Sequence, residues 1–394
     1  MGVSNSSFFQ IPWANLDFGF QLRPECVGIQ LIVLLYCLIS YLVRVQWWAQ
    51  NRLAAILLGI QAVLLILLLG QSSLNAALLL MLSCSTVERL FSTLWNSPGH
   101  SRSIRQYLPT ALAVSDLMLW MAWLLGNGSA HQEVIFLLLT CAVWIRSTSR
   151  RTHFFESDFF VYSRVIIPTV FVGAWGVWTV RVFSSVVLEN QLAILLLLGM
   201  GVSYELVQIL RAKTRYQLID RTGALFRWLA LFGFISSEIF QGAVGYLIVL
   251  SSIVLVQIVW TSSQKIVSSK QSSQLVLKWL ALFALFGAPA TLSYLGFQQL
   301  FLAVHSNPEL LLFTIVFSSG ILVWVWSKSL LDERLKWGVL QAQETQLETT
   351  LFEKIAPWTW LSLLVTAALL SPIWLDRVSE SISASGADIV GSSK

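Results

Sequence analysis

Apolar residues in this chain fall in blocks of about twenty, separated by short stretches rich in Arg, Ser, Gln and Lys. A helix needs about 20 apolar residues to cross a hydrocarbon core of about 30 Å, so each block predicts a membrane-spanning helix. Twelve spans are predicted, near 27–43, 53–70, 74–94, 107–126, 133–146, 165–181, 191–210, 224–240, 243–262, 275–303, 310–327 and 358–375. The tenth is the longest and holds Pro289, which predicts a broken or kinked helix. Between the last two spans, residues 328–357 form the one sizeable loop. There Leu340, Leu347, Leu351 and Ile355 make an apolar stripe at helical spacing, so a cytoplasmic amphipathic helix is expected. It would dock a partner, lie in the interface or serve as a plain linker. The expected organisation is a non-cytoplasmic lead over 1–26, a transmembrane domain over 27–375, and a Ser-, Gly- and Ala-rich disordered tail over 376–394.

The basic residues orient these spans. The loops after spans 1, 3, 5, 7, 9 and 11 carry 2, 3, 4, 5, 3 and 4 of them, 21 of the 25 in the chain. The loops after even-numbered spans hold one, Arg181, and Arg23, Arg377 and Lys394 lie in the terminal segments. Loops rich in Lys and Arg stay on the cytoplasmic side. The odd loops are therefore expected inside and both termini outside.

Composition agrees. The 394 residues are 56% hydrophobic and 11% charged, with a mean hydropathy of +0.72. A soluble domain carries about 25% charged residues to wet its surface, so a soluble globule is excluded, and so is a disordered chain. The pI near 9.1 reflects topological markers and does not point to nucleic acid. Cys26, Cys37, Cys84 and Cys141 show no C-x-x-C spacing and read as thiols in helices. The segment from Met1 to Pro24 lacks a basic n-region, so the first hydrophobic helix is expected to direct insertion itself. The eighteen Trp residues include Trp47, Trp48, Trp95, Trp324, Trp326, Trp358 and Trp360 at span ends, the pattern of an aromatic belt.

Ionisable groups within hydrocarbon are costly and usually functional. Asp116, mid-span in AVSDLMLWMAWLL, reads either as a proton- or ion-relay carboxylate or as a carboxylate paired with a neighbouring Arg or hydroxyl to fix packing. Glu88 in STVERLF lies beside Arg89, and Glu205 precedes Arg211, which suggests local pairing. Glu238, between spans 8 and 9, is expected to reach outer water. No lysine occurs before Lys213, and the lysines fall in loops, at span ends or in the tail. A membrane proton pump needs titratable groups whose pKa values can be shifted, and arginine does not give up its proton. His100, His131, His153 and His305 share no metal-ligand spacing, and Walker, dinucleotide and G-x-S-x-G motifs are missing. Neither a cofactor nor a metal is expected.

The order of several segments resembles the antiporter-like, proton-conducting membrane subunits of complex I. The likeness is to the subunit 5 branch, which includes the membrane partner of DAB-type inorganic-carbon uptake complexes. Residues Asn51 to Leu94 resemble its early helices. RQYLPTALAVSDLMLWMAWLLG resembles the helix that opens with an R-V-G-D-like turn, with Asp116 on the family's aspartate and Ala113 in place of its arginine. AVWIRSTSRRTHFF resembles the K-x-x-Q-x-P-x-H segment. Arg146 then stands for the pumping lysine, His153 for the histidine and Arg151 for the proline.

VFVGAWGVWTVR resembles the following helix, with Gly173 near the place of a second lysine. Of the K-R-x-L-A-Y-S run only a leading basic residue, Arg221, survives. FALFGAPATLSYLGF resembles the G-x-P-x-T-x-G-F breakpoint through Gly287, Pro289 and Thr291, with Phe297 and Gln298 replacing the group that follows. For the family's paired glutamate, spacing back from Asp116 favours Met81 over Glu88.

The resemblance implies an all-α fold of two inverted five-helix bundles with broken helices, and a degenerate member that has lost most of the lysine and glutamate relay. The proton or ion path candidates it leaves are Asp116, Glu88, Glu205, Arg146, His153 and Arg221. Three functions then compete. The first is a non-catalytic membrane subunit of an energy-coupled complex, NADH-dehydrogenase-like or for inorganic-carbon uptake, serving as scaffold or partial proton path. Its partners would be other membrane and peripheral subunits and the lipid bilayer, in a bacterial inner membrane or a thylakoid. The second is a stand-alone secondary transporter with its site at the broken tenth helix. A membrane enzyme ranks last, because the outer loops are short and poor in acids and histidines.

Overall fold

A computed structural model describes residues 7–11, 16–20, 23–43, 49, 51–94, 104–126, 131–148, 165–212, 215–235, 238–264, 271–285, 287–305, 320 and 351–380. The chain divides into two compact units, residues 1–186 and 187–394. The eleventh span apart from Gly320, Leu340, Leu347, His100, His153, the paired tryptophans at 47–48 and 324–326, Trp95 and residues 381–394 lie outside the described residues.

The first unit opens with a short antiparallel hairpin, β1 (Ser7–Ile11) and β2 (Leu16–Gly19), with Ser7 opposite Gly19 and Ile11 opposite Leu16. Its helices are α1 (Pro24–Val43), α2 (Arg52–Leu69), α3 (Leu74–Leu94), α4 (Ile104–Leu125), α5 (Gln132–Thr148) and α6 (Ile167–Arg181), followed by the short α7 (Ser184–Glu189). The hairpin is a refinement of the polar lead read from the sequence. It is tied to the α2–α3 turn by a bond from Ser72 N to Gly19 O at 3.0 Å. Arg23 Nη2 donates to Gln71 O at 2.5 Å. Burial and the nearby Arg181 guanidinium bring Arg23 down to about 10, so it stays charged at neutral pH. Gly70 makes this docking possible, because a Cβ there would meet the Phe20 ring at 2.2 Å.

The second unit comprises α8 (Gln191–Leu210), α9 (Arg215–Leu229) running into a 3-10 turn over Ala230–Phe234, α10 (Ile239–Gln264), α11 (Gln271–Leu285), α12 (Leu292–Val304), α13 (Leu351–Leu369) and α14 (Ser371–Glu380). From Gly242 to Trp260 α10 is buried throughout, so this stretch sees protein on all sides, chiefly α12, α13 and α11. Helices in lipid gain little from the hydrophobic effect and associate by close packing instead. Here the 3-10 turn and α10 touch backbone to backbone: a Cβ on Gly242 would lie 1.7 Å from Gly233 O.

Among the described residues, four helices are long and apolar enough to cross a membrane: Pro24–Leu42, Arg52–Leu69, Gln191–Leu210 and Ile239–Trp260. The chain is an integral membrane protein built almost wholly of helices. Leu112–Leu125 of α4 and Leu292–Val304 of α12 are shorter apolar stretches. The predicted eighth span, 224–240, is corrected: the helix starts at Arg215 and the next begins at Ile239. Hydropathy misplaced it because RYQLIDR is polar, whereas Asp220 is buried and Arg221 is paired within the bundle.

The last predicted span is also redrawn. Leu351 and Ile355 belong to α13, which continues through Pro357. Helices α13 and α14 meet at a bend of 69°, where Pro372 offers no N–H to continue the ladder. Helix α14 runs to Glu380, five residues into the segment read as a disordered tail. Nor do all tryptophans form a belt. Trp175, Trp260 and Trp360 are fully buried, and Trp175 Nε1 donates to Thr140 Oγ1 at 2.8 Å in the core of the first unit.

Candidate functional site

Helices α3, α4 and α5 bring their ionisable residues to one place in the first unit. On α3, Met81, Cys84, Ser85 and Glu88 share the buried face expected of i, i+3, i+4 and i+7 spacing. Ser115 Oγ donates to Ala142 O at 2.9 Å, fixing α4 against α5 one turn before Arg146. Arg146 then reaches back across the interface. Its Nη2 donates to Glu88 Oε2 at 2.5 Å and to Ser85 Oγ at 2.9 Å, and its Nη1 to Asp116 Oδ1 at 3.3 Å. The guanidinium carbon also lies 4.7 Å from the centre of the Phe171 ring on α6. Arg89 Nη2 pairs with the other Asp116 oxygen.

The cluster holds two guanidiniums and two carboxylates, so its formal charges cancel. The Arg146 side chain is 2% exposed, and a charge that deep is tolerated only with excellent pairing. A planar guanidinium can hold two carboxylates at once, which a lysine point charge does less specifically. The arrangement is suited to locking three helices together.

Among the residues singled out from the sequence, Glu88, Asp116 and Arg146 are therefore assembled. Met81 and Glu88 lie seven residues apart on the same face of α3, and it is Glu88 that Arg146 meets. The expected Glu88–Arg89 pairing is corrected, since Arg89 turns to Asp116. In the second unit Glu205, fully buried, faces Arg221 Nη1 at 3.7 Å. It does not face Arg211, which is exposed. Six residues along a helix is about 240° of rotation, so those two point apart. Glu238 is exposed before α10, as expected.

The break in the tenth predicted span is present. Gly287 has φ 73° and Ala290 φ 63°. Bonds from Gly287 N to Ala284 O at 3.2 Å and from Ala288 N to Phe283 O at 3.0 Å close α11 in a Schellman pattern. Pro289, exposed, follows at once. Thr291 caps α12, accepting from Tyr294 N at 3.4 Å and donating to Ala288 O at 2.6 Å.

Arg227, buried on α9, was missed and counted with a loop. Its place between Phe226 and Trp228 was the available signal. Arg52, Arg89, Arg105, Arg146, Arg215, Arg221, Arg227, Lys278 and Lys354 lie on helices, so nine of the 21 odd-side basic residues are not loop charges. Among the described residues no group of three His, Cys, Asp or Glu is placed to hold a metal ion.

No family model and no curated protein matches the sequence. Solved structures do match. One is a chain of respiratory complex I from Thermus thermophilus with bound NADH, at a TM-score of 0.64 and 13% identity, covering 96% of this chain and 88% of that one. At such identity the likeness speaks for the fold alone: this integral membrane protein has the fold of a chain of respiratory complex I.

Proposed function

We propose that the chain is a non-catalytic integral membrane subunit of a larger energy-coupled complex, with twelve spans and both termini on the non-cytoplasmic side. The observation that carries this reading is the fold shared with a complex I chain over 96% of the sequence. A polytopic protein of that build works beside other membrane and peripheral subunits. The resemblance in segment order to the subunit 5 branch supports two kinds of complex, NADH-dehydrogenase-like and inorganic-carbon uptake.

Within the complex the chain acts chiefly as a scaffold, with at most a partial proton path around Asp116. Support comes from Arg146. By the resemblance it stands for the family's pumping lysine; it is held by Glu88 and Asp116, and as a guanidinium keeps its proton. Affinity purification in gentle detergent followed by peptide identification tests the reading, which expects membrane and peripheral companions in stoichiometric amount.

The second reading, a stand-alone secondary transporter, is favoured by one feature. The backbone break at Gly287–Thr291 is the kind of discontinuity that lines substrate sites in transporters. A purified single chain that moves solute in liposomes would establish it.

A further inference from the structure

We propose that the face shared by α3 and α4 around Arg89 docks a transmembrane helix of a partner polypeptide that presents a carboxylate or carbonyl oxygen to the Arg89 guanidinium. The inference rests on the complex-subunit reading and names the surface through which assembly occurs. Asp116 lies twelve residues from Ile104 and nine from Leu125, about 18 and 14 Å along an axis rising 1.5 Å per residue. The Arg89–Asp116 pair is therefore at hydrocarbon depth. Arg89 nevertheless remains 41% exposed and Asp116 16%. At a water-facing surface that would be unremarked. In lipid no solvent reaches the exposed part of the cation, and charged groups at depth are normally turned into protein or an aqueous cavity.

The surroundings favour a polypeptide cover. Ser83 and Thr86 lie on the exposed side of α3, and Ala113 on that of α4. Both hydroxyls donate back to their own helix, to Leu79 O at 2.9 Å and Leu82 O at 3.0 Å, so each oxygen can still accept, and the exposed Leu90 and Leu117 flank them. Small residues and hydroxyls are what helices in membranes use to approach each other closely. By contrast the exposed side of α1 carries Leu31, Leu34, Leu38 and Leu42, an ordinary lipid-facing stripe. The exposed charge on the α3–α4 face is positive, which selects an acceptor on the partner and disfavours an Arg or Lys there.

A nitroxide at Thr86→Cys, compared with one at Leu34→Cys, tests this, with Cys37 and Cys141 replaced by alanine and Ser83→Cys as second reporter should the first variant fail to fold. The labelled chain is extracted with its native lipids and companions into polymer nanodiscs, and in parallel is stripped in harsh detergent and reconstituted alone in liposomes. The expected result in nanodiscs is loss of collisions with both oxygen and a water-soluble nickel chelate at Thr86, with oxygen access regained in liposomes. Leu34 should stay open to oxygen in both. Oxygen access at Thr86 in nanodiscs equal to that at Leu34 would mean lipid covers the face and would overturn the proposal; nickel access, marking an aqueous crevice, would overturn it as well. If companions still co-purify in either case, the surface is wrong and the complex reading stands. If none co-purifies, the complex reading fails and the surface with it.

Discussion

Arg146 donates to Glu88 at 2.5 Å across the packed α3 and α5 helices, 58 residues apart in sequence. Both side chains are buried, and Asp116 joins them from α4. Three helices of the first unit are thus held by one guanidinium, where a relay would place a group able to release its proton.

Removing that guanidinium alone should be severe. Arg146→Leu leaves Glu88 and Asp116 without their shared partner, and breaking a buried pair from one side costs about 3–5 kcal/mol. The double variant Arg146→Leu/Glu88→Leu removes the stranded carboxylate while Asp116 keeps Arg89, so it should unfold at a higher temperature than the single one. Thermal unfolding in mild detergent, followed by tryptophan fluorescence, ranks the two.

Asp116→Asn separates positioning from proton handling. The amide preserves the shape and can still accept a hydrogen bond, so loss of stability should stay within about 1–3 kcal/mol and assembly with companions should persist. Any proton-coupled flux should fall. Intact flux with lost assembly would instead make Asp116 purely structural.

Two glycine substitutions are expected to differ in sign. A methyl group at Gly242 would lie 1.7 Å from Gly233 O, a backbone atom that has little room to yield. Gly242→Ala should therefore destabilise by about 1–3 kcal/mol or more, as overpacked cores do. Gly199 on α8 has nothing within 4 Å of the same methyl position, and Gly199→Ala should be neutral or stabilising by up to about 1 kcal/mol through helix propensity. Melting temperatures of the two purified variants check the contrast.

Gly287 has a requirement that is chiefly conformational. Its φ of 73° places any L side chain in the left-handed region, at a cost of about 1–2 kcal/mol. Gly287→Ala should lower stability by at least that order, since the Phe297 ring, 3.3 Å from the added methyl, must also give a little. Chemical denaturation of the variant beside the parent chain measures it.

What could be read from the sequence follows from what periodicity encodes. Apolar blocks and the Lys and Arg bias gave the helices and their expected orientation, and Gly287, Pro289 and Thr291 marked the break because each has a local backbone reason to be there. Register between helices is not local. Met81 and Glu88 lie on the same face two turns apart, so spacing alone could not show that Glu88 is the one Arg146 reaches. Glu205 and Arg211 look adjacent in the sequence but point apart on the helix, while Arg221 arrives from the next one. Polar stretches such as RYQLIDR hide a helix from hydropathy because their charged groups are satisfied inside the protein, as Arg221 shows.

The most direct measurement is the mass of the particle that carries an affinity-tagged copy of this chain, extracted in gentle detergent. The complex-subunit reading predicts a species far larger than the 44.2 kDa chain, containing stoichiometric membrane and peripheral companions. A monodisperse 44.2 kDa species that moves solute by itself in liposomes would contradict it.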